Sequence, residues 1–417
     1  MNKVTVLNTK PYVMNIKDVN RVYFHVFFPI KRDKKDRGNL LLNRRMLQNS
    51  CKYFNNATLN KVLDENYIID YNVFLQSSVN YDLINFSLQI PKLGLIDEFD
   101  LNKVLKIFHD MIFEPFVTDD QFDEDFFNRE KYYLIRKEDN FPNGLEDYSH
   151  EAYLHFTDPE EKHDIFEESY LKLLNEVNPK GAYNYYLNNI KNGTYYSIIS
   201  GATDDTIVNT FSELFKQEEK ETTYEIQFED IDEVSEYEKK IDKTKYNQTK
   251  MYLHYNVKDY ESSKDEVLFD QLYYFLHARE NDLIFKKLRV DNNLIYQCTC
   301  SKRNSYAVYV IVVYLDKNDI DKAKELIKEV FNEILDESYY NECRERLLKA
   351  LRYDLLDEED DPFNDVSDFF NSLVGAGFNM KKRIELTEKI KFDEFKEFVN
   401  RVILTKELII EGGDTNE

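Results

Sequence analysis

The alternation of apolar and polar positions divides the chain into two series of elements that follow the same order. Residues 20–29, Asn-Arg-Val-Tyr-Phe-His-Val-Phe-Phe-Pro, are β-branched and aromatic and stop at a proline, as a strand does. Leu40 to Phe54 and Thr58 to Glu65 carry helical spacing. Two alternating runs, 69–76 and 81–91, meet at Ser77 to Asn80 and predict a hairpin with one buried face. Ile84, Phe86, Leu88 and Ile90 point inward, and Leu83, Asn85, Ser87 and Gln89 outward. Leu101, Val104, Leu105, Phe108 and Ile112 predict a helix over 99–115, and Asp119 to Arg136 a second one whose acidic start suits the helix dipole. Helix continues to about Leu187, and a strand, Tyr195 to Ser200, ends at Gly201.

From Gln217 to Asp242 eleven acids face three lysines, with no Gly or Pro and little apolar periodicity, which reads as a linker. The order then returns: a strand (Lys250 to Val257), a helix from Glu266 to His277 and beyond, strands near 293–300 and 306–315, and a helix from Asn318 to Leu335. A further helical pair and a terminal strand follow, and the acidic run Asp357 to Asp361 before Pro362 reads as a solvated connection between helices. The closing segments are alike, Tyr-Ser-Ile-Ile-Ser-Gly-Ala-Thr-Asp at 196–204 and Glu-Leu-Ile-Ile-Glu-Gly-Gly-Asp at 407–414. The expected fold is α+β in two tandem homologous repeats, 1–216 and 247–417, joined by an acidic linker at 217–246. Each repeat is a mostly antiparallel sheet flanked by helices.

Composition narrows the function. The 417 residues carry 55 Lys and Arg against 79 Asp and Glu, a net charge of −24, which disfavours nucleic acid and anionic membrane surfaces. Sixty-one Phe and Tyr residues supply a core. Cys51, Cys298, Cys300 and Cys343 lack paired C-x-x-C spacing and read as reduced thiols, with Cys298 and Cys300 as small buried residues of a strand. Neither a signal peptide nor a membrane span is visible, so the expected location is the cytoplasm. The abundance of Asn, Lys, Tyr and Ile fits an AT-rich bacterial genome.

Several segments resemble the insulinase or pitrilysin-like zinc peptidases, the inverted zincins. Met46-Leu47-Gln48, Leu63-Asp64-Glu65-Asn66, the hairpin and Phe113-Glu114-Pro115-Phe116 resemble the core of that family's first repeat. Phe126-Phe127-Asn128-Arg129-Glu130-Lys131 is similar to the helix that carries its downstream glutamate ligand. Leu283-Ile284-Phe285-Lys286-Lys287-Leu288-Arg289 with Leu294-Ile295-Tyr296 is similar to its Arg and Tyr substrate-holding pair, here Arg289 and Tyr296. The resemblance implies a clamshell of two repeats and peptide cleavage.

One departure is decisive. Active members carry H-x-x-E-H on the first helix, where two imidazoles one turn apart reach zinc and the glutamate activates the metal-bound water. Here that helix, Asn39 to Cys51, has no histidine, and Leu42, Arg45 and Met46 fall on the motif positions. Glu130 is then either a former ligand without partners or an ordinary exposed helix acid. None of His25, His109, His150, His155, His163, His254 and His277 begins H-x-x-E-H or H-E-x-x-H. His150 and His155 lie five apart, about 140° around a helix, and do not converge on one ion. His277-Ala278-Arg279-Glu280-Asn281 ends in Asn. Nucleophile elbows and glycine-rich phosphate loops are absent.

The resemblance therefore implies a chain without catalytic residues or cofactor of its own. Its partner would be a catalytic subunit carrying H-x-x-E-H and zinc, and its ligand a peptide held by Arg289 and Tyr296, including leader segments of ribosomally made peptides. The acidic surface favours a basic peptide. The alternative is a peptidase-like binding or scaffold module outside proteolysis, in which Arg289 makes an ion pair and Tyr296 is a core residue.

Overall fold

Long β-branched and aromatic runs buried on both faces organise the molecule. The computed structural model describes residues 2–8, 10–16, 18–51, 56–78, 80–138, 144–162, 167–226, 236–260, 263–277, 283–303, 306–360, 366–375 and 380–413. The first series is β1 (Asn2–Asn8), β2 (Tyr12–Asn15), β3 (Arg21–Lys31), α1 (Arg37–Asn49), α2 (Asn56–Glu65), β4 (Asp70–Ser78), β5 (Tyr81–Pro91), α3 (Leu101–Phe113), β6 (Val117–Thr118), β7 (Gln121–Phe122), α4 (Glu124–Glu138), α5 (Leu145–Thr157), α6 (Glu167–Glu176), α7 (Pro179–Tyr186), β8 (Tyr196–Gly201), α8 (Asp205–Leu214) and β9 (Lys220–Ile226). The second is β10 (Glu238–Lys243), β11 (Thr249–Val257), α9 (Ser263–His277), α10 (Leu283–Phe285) with a π-turn over Lys286–Val290, β12 (Ile295–Arg303), β13 (Val308–Leu315), α11 (Ile320–Glu333), α12 (Glu337–Asp360), α13 (Val366–Leu373), α14 (Met380–Lys389), α15 (Phe392–Asn400) and β14 (Val402–Glu411).

The duplication read from the sequence is visible strand by strand. One sheet has the order β2-β8-β3-β5-β4 and the other β10-β14-β11-β13-β12. In each, the short edge strand pairs parallel with the closing strand, and every other pairing is antiparallel. The stretch 217–246, acidic in composition, contributes strands among its described residues: β9 runs antiparallel to β1, and β10 parallel to β14. Residues 227–235 lie outside the described residues. The run from Asp357 is helical as far as Asp360, the end of α12.

Each sheet is covered twice. The first packs Phe24, Phe86 and Ile199 against α1, α3, α7 and α8, through Leu42, Met46, Phe108 and Phe211. Its other face, carrying Phe27, Leu83, Tyr196 and Ile198, is closed by Tyr224 and Ile226 of β9 and by Val366 and Phe370 of α13. The second sheet packs Met251, Leu253 and Ile311 against α9, α11 and α15, while Tyr252, Val310, Leu408 and Ile410 on its other face meet Tyr153 and Leu154 of α5. Two compact units result, interleaved along the chain. One comprises Met1–Phe141, Glu167–Gln227 and Asp357–Ala376, and the other Pro142–Phe166, Phe228–Leu356 and Gly377–Glu417.

This double cover corrects the expectation of a hairpin with one buried face. Leu83 and Asn85, read as outward, are fully buried, Leu83 under the β9 and α13 layer and Asn85 paired with His25 across β3. The first helix is α1, Arg37–Asn49, and the predicted extension to Phe54 leaves the described residues after Cys51. Asp119 and Asp120 form the turn of a short hairpin, β6 and β7, and α4 begins only at Glu124. Among the described residues no helix is long and apolar enough to cross a membrane.

Candidate functional site

The site grows from two helices of the first unit. On α1, Leu40, Asn43, Met46 and Leu47 recur at helical spacing and turn inward, and the helix ends where Ser50 becomes extended. Leu42 and Met46, the two positions at which the resemblance assigns imidazoles, are buried apolar residues of the core. Arg45 between them leaves the core and meets α4. On that helix Phe126, Phe127, Glu130 and Leu134 form one stripe, so Glu130 sits on the buried side and is only 1% exposed. The reading of Glu130 as an exposed helix acid is overturned by this placement.

Arg45 donates from Nε (3.0 Å) and Nη2 (2.7 Å) to Glu130 Oε2, and Asn49 Nδ2 donates to the same oxygen at 3.0 Å. Arg129 Nε lies 3.7 Å from Oε1. A buried carboxylate left alone costs several kcal/mol, and a guanidinium with a third amide donor offsets that cost through charge-assisted bonds. Zinc does not fit these residues. Leu42 offers no lone pair, Met46 only a thioether, and the single carboxylate is already held by a cation. Among the described residues no group of three or more His, Cys, Asp or Glu side chains is placed to hold a metal ion.

The second candidate pair lies in the other unit. Arg289 closes the π-turn before β12 and donates from Nη1 to the Ile295 carbonyl (2.8 Å) and to Asn293 Oδ1 (3.0 Å). Tyr296 is 51% exposed, so it is not a core tyrosine. The pairing with β13 passes from Ile295 to Gln297, which leaves Tyr296 at a bulge on an edge strand, a device that re-aims a side chain. Its hydroxyl donates to Asp316 Oδ2 at 3.1 Å, and that bond and the Asp316 charge raise its pKa, while Arg289 nearby acts against the rise. Arg289 and Tyr296 are thus neighbours. Among the described residues no metal-binding group lies beside them.

The histidines serve other ends. His25 is buried against Asn85, and burial lowers its pKa to about 4 against a weaker opposing bond from Asn85. Tyr153 pairs with His254 at 2.7 Å, and His155 is exposed beside Glu151. His163 and residues 278–282 lie outside the described residues. None of the four cysteines is in a disulfide. Cys300 is only half-buried, and although desolvation opposes it, hydrogen bonds from Cys298 and His277 lower its pKa. The sequence reading took it as inert; α9 brings His277 to it, a proximity no local pattern carries.

The comparisons with known proteins agree with this picture. The family description "Peptidase M16 inactive domain" matches residues 177–347. No curated protein matches the chain. A conserved protein from Enterococcus faecalis is 18% identical with a TM-score of 0.80, covering 100% of both chains. A protein from Helicobacter pylori described as a protease is 11% identical with a TM-score of 0.69, covering 98% of this chain and 99% of its own. A peptidase M16 inactive domain from Pseudomonas fluorescens is 11% identical with a TM-score of 0.67, covering 100% of this chain and 99% of its own. The chain thus matches the M16 inactive-domain description over residues 177–347, shares the fold of these neighbours along its whole length, and carries no H-x-x-E-H in its sequence.

Proposed function

We propose that this chain is the non-catalytic subunit of a two-chain zinc peptidase. A partner chain supplies H-x-x-E-H and zinc, and this chain completes the chamber and holds a peptide through Arg289 and Tyr296 for proteolytic processing, leader removal included. The observation that carries the reading is the Arg45–Glu130 pair. A guanidinium neutralises the buried carboxylate at the positions the resemblance assigns to the metal, which keeps the fold while giving up the metal. The bulge that turns Tyr296 outward next to Arg289 supports a retained peptide contact. The proposed compartment is the cytoplasm, for which the four unbridged thiols speak.

Native mass spectrometry of the chain isolated gently from its own host tests this. The expected spectrum is a metal-free chain accompanied by a second protein that holds one zinc. A chain that carries its own zinc overturns the reading. A second reading, a binding or scaffold module outside proteolysis, is favoured by the engagement of Arg289 with its own loop at Asn293 and Ile295. Arg289→Ala separates the two: loss of a partner's peptidase activity in an assembled complex supports the shared site, and unchanged activity supports the scaffold.

A further inference from the structure

Local charge at the altered metal position runs against the charge of the whole chain. The protein carries a net −24, yet two arginines, Arg45 and Arg129, flank one carboxylate here, with a third, Arg44, beside Arg45 on the helix. Arg45 holds Glu130 Oε2, Arg129 approaches Oε1 at 3.7 Å, and Arg44, next to Arg45 on α1, donates from Nε to the Val73 carbonyl of β4 at 2.8 Å. Burial and the charge of Arg45 both lower the pKa of Arg44, as expected of two guanidiniums held close together. Glu130 therefore lies between two guanidiniums, with Arg44 close enough to feel the charge of Arg45, so positive charge is locally in excess.

The donor count leaves capacity. A guanidinium carries five N–H donors. Arg44 uses Nε, and Arg45 uses Nε and Nη2. Among the described residues, both terminal nitrogens of Arg44, Nη1 of Arg45 and the terminal nitrogens of Arg129 meet no acceptor. The groups are also braced. Arg129 lies over the Phe126 ring at 4.9 Å and Arg45 over the Tyr133 ring at 5.9 Å, so less side-chain freedom is lost when an anion arrives. Planar forks of this kind match a carboxylate, and the acidic remainder of the chain repels extended polyanions such as nucleic acid.

We infer that Arg44, Arg45 and Arg129 form a carboxylate-binding site that takes an acidic group of a bound peptide, either an Asp or Glu side chain or the chain terminus. This rests on the peptide-binding reading above and gives it a specificity opposite to the one the overall charge favours.

Fluorescence anisotropy on the full chain tests it with three labelled nonapeptide pools of randomised flanks: blocked ends with Glu at the centre, blocked ends with Gln there, and Gln with a free C-terminus. The expected result is about tenfold tighter binding of at least one carboxylate-bearing pool over the blocked Gln pool. The pool that gains identifies the source of the carboxylate. Arg44→Gln and Arg129→Gln, which leave the buried pair in place, each reduce the gain, and it shrinks between low and high salt. Thermal unfolding checks that each variant folds, and either variant alone suffices. Equal binding of all three pools, or a gain that survives both substitutions, overturns the site and leaves the peptide-binding reading standing. Binding of none of the pools overturns both.

Discussion

Replacing Arg45 by Leu strips Glu130 Oε2 of two of its three donors and leaves Asn49 as its only remaining partner among the described residues. Glu130 cannot turn to water, being 1% exposed, so the variant leaves a buried charge whose nearest cation is Arg129 Nε, 3.7 Å from Oε1. Removing one partner of a buried pair costs roughly 3–5 kcal/mol, and because the Arg45 side chain retains some contact with water the lower end applies, about 3 kcal/mol. For a unit of roughly 200 residues that corresponds to a melting point lower by about 6–12 °C. Glu130→Gln is milder, about 1 kcal/mol, because Arg45 can reach solvent. The double variant Arg45→Leu with Glu130→Leu recovers most of the loss, since two apolar side chains ask for no donors. The chain has no tryptophan, so urea unfolding is followed by far-UV circular dichroism and tyrosine emission. A cost below about 1 kcal/mol for Arg45→Leu, or a double variant as weak as the sum of the singles, refutes the claim that this pair holds the site together.

Further outcomes follow from other residues. Leu42→His, Arg45→Glu and Met46→His together rebuild the zinc motif beside Glu130 and are expected to load about one zinc per chain by elemental analysis; a folded variant that stays empty shows that the register of α1 is misassigned. His25, with its pKa lowered to about 4, contributes stability that is fully present above about 6.5 and lost as pH falls through 4, worth about 3 kcal/mol. The urea midpoint of His25→Asn should therefore fall less steeply over that window than that of the native chain. Cys300 should be the first of the four thiols alkylated by iodoacetamide at neutral pH, located by peptide mass mapping, and His277→Asn should slow it; first labelling at Cys51 or Cys343, both buried, contradicts the placement.

The two-repeat fold was legible because period-2 and helical spacing survive in β5, α3 and β13 and recur in the same order. Burial on the second face of the sheets was not, since Leu83 and Asn85 alternate like an exposed row and only the arrival of β9 and α13 encloses them. The strand β9 left a signal that its acids obscured: Thr222, Tyr224 and Ile226 alternate, and the latter two are buried. Glu130 was misjudged for a similar reason. Its charged neighbours suggested solvent, while Phe126, Phe127 and Leu134 on the same stripe already pointed into the core. Tyr296 sits at a register shift, which depends on the pairing of two strands and leaves no trace in either one.

The interleaving of the two units bears on how the chain is made. The outer face of the first sheet is closed partly by Val366 and Phe370, which are synthesised roughly 140 residues after the rest of that unit ends near Gln227. At about 5–20 residues per second the ribosome needs on the order of ten seconds or more to deliver them. During that interval Phe27, Leu83 and Tyr196 lack part of their cover. Neither half, expressed alone up to the middle of the chain, contains all of its own lid.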